Sequence, residues 1–124
     1  MAFADHVYLV DDDYASAMSM KAVLNAKGFT VQIFDSAEAF LGALDDIRFD
    51  SCLVLDLRLP GMSGLELQKK LAERGAMLPT VMISGHADHA SVALALENGA
   101  AAFLQKPFSG SDLIAAIIDA TKKE

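Results

Sequence analysis

A single cysteine, Cys52, excludes an internal disulfide and a cysteine-based zinc cluster, and its place inside an apolar run assigns it to packing. Basic residues are scarce: 10 Lys and Arg stand against 17 Asp and Glu, a net charge of -7. A balance of that sign repels a phosphate backbone, so direct nucleic-acid binding by this segment is not expected. Long apolar runs are also missing. None approaches the ~18 residues that cross a bilayer, so no membrane association is expected. The opening residues Met1-Ala2-Phe3-Ala4-Asp5-His6 lack the basic region and apolar stretch of a targeting signal, which leaves a cytoplasmic location as the default. There is no internal repeat and no low-complexity tract. What remains is 124 residues, 53% of them hydrophobic, enough to bury the core of one domain; residues 1–124 are read as that domain, with no output domain in this chain.

The apolar runs that are present are short, and Cys52 to Leu55 has no polar alternation, the pattern of a strand buried on both faces. Val7 to Val10, Thr30 to Phe34, Cys52 to Leu55, Thr80 to Ile83 and Ala101 to Leu104 are the five candidates. Between them lie helical patterns. Ala17, Met20, Val23 and Leu24 mark a helix over 14–27, and Phe40, Leu41 and Leu44 a second, with Asp35 and Glu38 forming a capping-box-like start. Leu67 and Leu71 mark a third, on whose exposed side Glu66 and Lys70 are spaced to pair; Val92, Ala93 and Leu96 mark a fourth, and Leu113, Ile114, Ile117 and Ile118 a fifth. Strands that alternate with helices without hairpin turns imply a parallel sheet covered on both faces, joined by right-handed crossovers.

In such a sheet every strand ends on the same edge. Asp11 and Asp12 follow the first strand, Asp56 the third, Ser84 the fourth and Lys106 the fifth, so all are gathered there although they span most of the chain. Neighbouring carboxylates repel unless a cation intervenes, and an all-oxygen set completed by water is what magnesium prefers. A hydroxyl and an ammonium beside them can each hold one oxygen of a tetrahedral anion, which fits phosphoryl chemistry with Asp56 as nucleophile. The bland counterpart is a set of helix caps at strand ends. That explains Asp13 well and Asp56 poorly. His86 and His89, without a third nitrogen or sulfur ligand, are read as loop surface.

Val10-Asp11-Asp12, the run Leu55-Asp56-Leu57-Arg58-Leu59-Pro60-Gly61-Met62-Ser63-Gly64, Ile83-Ser84-Gly85 and Phe103-Leu104-Gln105-Lys106-Pro107-Phe108 together resemble the receiver domains of two-component response regulators, over nearly the whole chain. Ser84-Gly85-His86-Ala87-Asp88 and the Gly-Ala-Ala-Ala-Phe-Leu-Gln-Lys-Pro-Phe string are most similar to the FixJ-type group, usually followed by a helix-turn-helix domain. The resemblance implies a flavodoxin-like (βα)5 single domain, α/β, with a five-stranded parallel sheet of order 2-1-3-4-5. It implies that Asp56 accepts a phosphoryl group from the phosphohistidine of a sensor histidine kinase or phosphotransfer protein. It also implies a Mg2+ cofactor, with Mn2+ as the alternative ion, held by Asp12 and Asp56, supported by Asp11 and completed by the Arg58 backbone carbonyl. Lys106 and Ser84 would take acyl-phosphate oxygens, Lys106-Pro107 would be cis, and Phe103 would be the aromatic switch. Ser84 stands where many receivers have threonine, and Phe103 where many have tyrosine. The hydroxyl survives in the first case; in the second no tip hydrogen bond is available. The implied output is a remodelled face of the fourth helix, fifth strand and last helix, through which a homodimer would form. Apart from self-phosphotransfer and autodephosphorylation, no enzyme activity is expected.

Rival readings are an aspartyl-nucleophile phosphatase of the haloacid-dehalogenase kind, a flavin-binding flavodoxin, and a non-phosphorylated pseudo-receiver that works by binding alone. The first would place an acid two residues after the nucleophile, where Arg58 stands. The second is disfavoured by the absence of tryptophan and of a hydroxyl-rich phosphate loop.

Overall fold

Apolar runs with no polar face become strands only if helices cover both sides of the sheet they form. The computed structural model, which describes residues 5–86 and 88–122, has that arrangement. In chain order the elements are β1 (His6–Val10), α1 (Tyr14–Ala26), β2 (Thr30–Phe34), α2 (Ala37–Gly42), a 3-10 turn (Leu44–Asp46), β3 (Cys52–Asp56), α3 (Gly64–Glu73), β4 (Thr80–Ser84), α4 (His89–Glu97), β5 (Ala102–Gln105) and α5 (Gly110–Thr121). The strands pair in parallel in the order β2-β1-β3-β4-β5, the flavodoxin-like order expected from the sequence.

The two-residue period of the strands divides the core in two. Tyr8, Val10, Leu53, Leu55 and Met82 face α2, α3 and α4, and pack with Phe40, Leu67, Leu71 and Ala95. Val7, Leu9, Cys52, Val54, Val81 and Ile83 face the other way and pack with Ala17, Met20 and Leu24 of α1 and Leu113 and Ile117 of α5. β1, β3 and β4 are covered on both sides, and all five residues of β3 are buried. Cys52 lies in that layer, where burial pushes its thiol up to about 12, so it stays protonated and serves packing as expected.

Several local expectations are corrected. Helix α2 is capped by Ser36, whose hydroxyl accepts from Ala39 N at 3.0 Å; Glu38 leaves the cap and reaches across to Met62 N instead. Glu66 does not pair with Lys70. Its carboxylate turns back to accept from Ser63 N at 3.3 Å while Ser63 Oγ accepts from Glu66 N at 3.1 Å, a capping box that satisfies two otherwise unpaired donors. The inward face of α4 is narrower than its apolar pattern suggests. Ala95 is its one buried residue, Val92 is half-buried and Leu96 is 45% exposed. Val23 on α1 is 37% exposed and flanks the start of α5, close to Gly110.

Candidate functional site

Four strand ends build the site. β1 ends at Val10, and Asp11 beyond it is buried, held by its N–H to Phe34 O at 3.1 Å, while its Oδ1 accepts from Asp13 N at 2.9 Å. Asp13 spends its own carboxylate capping α1 through Ser16 N, which leaves Asp12 exposed and uncommitted among the described hydrogen bonds. β3 ends on Asp56, which is 6% exposed rather than solvated at the rim. Its Oδ1 accepts from Arg58 N at 3.0 Å, and its Oδ2 from Lys106 Nζ at 3.2 Å. Lys106 arrives from the end of β5, its backbone tied to Ser84 O at 2.8 Å and its peptide to Pro107 cis.

The ammonium of Lys106 also lies 2.8 Å from Asp11 Oδ2, so one cation joins two buried carboxylates. Asp11, Asp12 and Asp56 each offer an oxygen within 4.8 Å of the others. Three carboxylates against one ammonium leave an excess of negative charge. Burial raises the Asp56 carboxyl above its ordinary range, more than the Arg58 N–H and the Lys106 charge lower it. Burial by itself would lower Lys106, but its hydrogen bond to Asp11 and the Asp56 charge outweigh that and raise it. Oxygen donors crowded in this way, with the Arg58 backbone nearby, fit a hard divalent cation.

The loop from β3 to α3 is held close to the carboxylates. A Cβ at Gly64 would run into the Asp56 carbonyl and come within 2.9 Å of Leu57 Cα, so only glycine lets Gly64 N reach Leu57 O at 3.0 Å and close the loop. Gly61 has φ +73°, and the space a side chain would take there is filled by the Glu38 carboxylate, whose Oε2 accepts from Met62 N at 3.0 Å. On the opposite side the Arg58 side chain leaves the acids altogether. Its Nε donates to the His86 carbonyl, and its guanidinium stands 3.5 Å from Asp88, the cap of α4.

Ser84 is buried at the end of β4, and its Oγ accepts from His86 N at 3.1 Å. It lines a cleft of 330 Å³ together with Asp12, Asp56, Arg58 and Lys106. Phe103 is not in that cleft. It is half-buried on β5, packed against the core under α4, and lines a separate cleft of 430 Å³ with Val92 and Leu96. His86 is exposed in the β4–α4 loop as expected, whereas His89 is exposed but opens α4 instead of lying in the loop.

A model of the response regulator receiver domain matches residues 7–118. The chain belongs to the receiver domain family. Among its relatives are the response regulator protein TmoT of Ectopseudomonas mendocina, 42% identical over 94% of this chain and 52% of TmoT, and the transcriptional regulatory protein FixJ of Bradyrhizobium diazoefficiens, 38% identical over 99% and 60%. Among solved structures, a crystal structure of FixJ-N has a TM-score of 0.86 at 39% identity, covering 93% of this chain and 91% of that one. This receiver therefore spans about half to three-fifths of the curated relatives it matches.

Asp11, Asp12, Asp56, Ser84 and Lys106 were legible in the sequence because each sits at or just after a strand end, whereas the Arg58 backbone came only with the resemblance. Glu38, the reach of the Arg58 side chain to Asp88 and the Asp11–Lys106 pair were not legible. Each joins residues 24 to 95 positions apart in the chain, and no local pattern marks such a contact.

Proposed function

We propose that this receiver is a phosphorylation-dependent signalling switch in which Asp56 accepts a phosphoryl group from the phosphohistidine of a cognate sensor histidine kinase or phosphotransfer protein. The observation that carries the reading is the single ammonium of Lys106 shared by Asp11 and Asp56 at the edge of a three-carboxylate cluster. Asp56 Oδ forms the new O–P bond while the N–P bond breaks with its electron pair on the imidazole. Burial that raises the Asp56 carboxyl also makes its carboxylate the better nucleophile. The side chains of Asp11, Asp12 and Asp56 and the backbone carbonyl of Arg58 would hold Mg2+, or Mn2+ in its place. When bound, the ion offsets repulsion between these carboxylates and the phosphoryl oxygens. Lys106 then moves its pairing from the carboxylates to a phosphoryl oxygen, and Ser84 gives up the His86 N–H to donate to another. That draws β4 and its following loop toward Asp56, Phe103 turns inward, and the α4-β5-α5 face changes shape. Loss of the group by hydrolysis resets the switch; no other catalysis is assigned.

FixJ is a transcriptional regulatory protein, and transcriptional control through an output domain is the proposed role of the whole protein here. Its location is cytoplasmic in this reading, and no described helix is long and apolar enough to cross a membrane. The test is intact-protein mass after incubation with acetyl phosphate, with Mg2+ or with excess chelator, for the parent and Asp56→Ala. One adduct that needs both the ion and Asp56 is expected. Undiminished transfer in chelator would remove the metal assignment, and an adduct that persists in Asp56→Ala would remove the acceptor.

A further inference from the structure

Gln68 lies on the side of α3 that packs against α4, and it is 1% exposed. Its Nε2 donates to the backbone carbonyl of Ala95, the one buried residue of α4, at 2.8 Å. Its Oε1 is buried with no partner among the described residues. Amides are a poor choice for a helix contact of this kind, because burying one costs desolvation that a single hydrogen bond only partly returns. Methionine or leucine would fill the same space without that cost. The Ala95 carbonyl does not need the amide either, since it already accepts from Ala100 N at 3.0 Å. Gln68 therefore serves the placement of α4 more than the stability of the fold.

The rest of α4 is loosely seated. Leu94 and Leu96 are each 45% exposed, and the helix is otherwise tied at its start, where Asp88 both caps it and faces Arg58. Apolar contact weakens gradually as two helices slide, whereas a hydrogen bond is lost over a few tenths of an ångström and so defines a position sharply. We propose that Gln68 is a positioning residue: its bond to the Ala95 carbonyl fixes the resting seat of α4 and sets how readily phosphorylation moves that helix. The inference rests on Asp56 as the phosphoryl acceptor and names a control on the same switch. Gln68 makes no hydrogen bond to the acids, so Asp56 still accepts the phosphoryl group when Gln68 is replaced.

Gln68→Met keeps length and volume and deletes only the donor and the unpaired acceptor. The experiment follows amide exchange across the chain, in the parent and the variant, before and after acetyl phosphate with Mg2+, with intact mass read on the same samples. Expected in the unphosphorylated variant is about tenfold faster exchange confined to α4, with α1 and α5 unchanged. The phosphorylation-dependent change in α4 exchange should shrink while one adduct still forms on Asp56. Exchange in α4 equal to the parent's, an undiminished phosphorylation response, or a rise spread evenly over the whole molecule would each overturn the proposal. If the Met variant does not fold, Gln68→Leu carries the same comparison. Failure of the acceptor reading shows separately, as no adduct on the parent.

Discussion

Asp56 and Glu38 show how one functional group, the carboxyl, takes opposite shifts from its surroundings. Burial raises Asp56, while Glu38 is exposed and lies below its ordinary value of 4.5 because the Met62 N–H bonds its ionised form. For Glu38 the sign is that of a carboxyl whose folded-state value is depressed. Its hold on the loop is complete above the unfolded value near 4.5 and is lost as pH falls through the lower folded value. The Met62 amide resonance should therefore titrate with a midpoint below 4.5 in the parent and lose that titration in Glu38→Gln. An unchanged midpoint in the variant would assign the effect to another carboxyl. Residue types alone pointed to the acids at the strand ends. They gave no sign of Glu38 as a loop clasp, because its partner is a backbone N–H in another element, and any acceptor at that point in space would serve.

At the scale of elements, all five strands and five helices were legible, since buried strands and amphipathic helices leave different apolar periods. Helix starts were less so. Asp35 and Ser36 both have cap chemistry, and the geometry of entry to α2 selects Ser36. Ser63 caps α3 just where the β3–α3 loop ends, with Glu66 completing the box. Ser63→Ala should cost about 1 kcal/mol in urea unfolding, the usual value of a lost hydroxyl cap. A change of only a few tenths would show that the loop, already closed by Gly64 N to Leu57 O, holds the helix start without the cap. The exposed face of α4 is also an outcome at this scale. Its pattern is apolar nearly all round, so periodicity could not tell which side the sheet would cover.

For the whole molecule, the sheet order sets which surfaces can communicate. β3 carries Asp56 beside β4, β4 lies beside β5, and β5 carries Phe103 under α4, so in the proposed switch two neighbouring strands lie between the carboxyl edge and the α4-β5-α5 face. That face presents Leu96 to solvent beside Val92 and Phe103, apolar area that a second copy of the chain could cover. We propose a homodimer through this face, the assembly that the resemblance to receiver domains implies. Sedimentation should show a shift toward dimer on phosphorylation with acetyl phosphate and Mg2+, and an unchanged monomer at full phosphorylation would remove the dimer from the proposal.

The sequence by itself determined the class of fold and the members of the acidic cluster. Both follow from local rules: apolar runs too evenly buried for anything but a covered parallel sheet, and polar residues that cannot enter those runs and so collect at their ends. Only the tertiary structure decided how those members are partnered. That Lys106 bridges Asp11 and Asp56, that Arg58 turns away to Asp88 and that Gln68 holds the Ala95 carbonyl depend on distances between elements remote in the chain. Hydrogen bonds and ion pairs are decided within a few tenths of an ångström, and packing of helices on the sheet, not the pattern along the chain, sets positions to that precision.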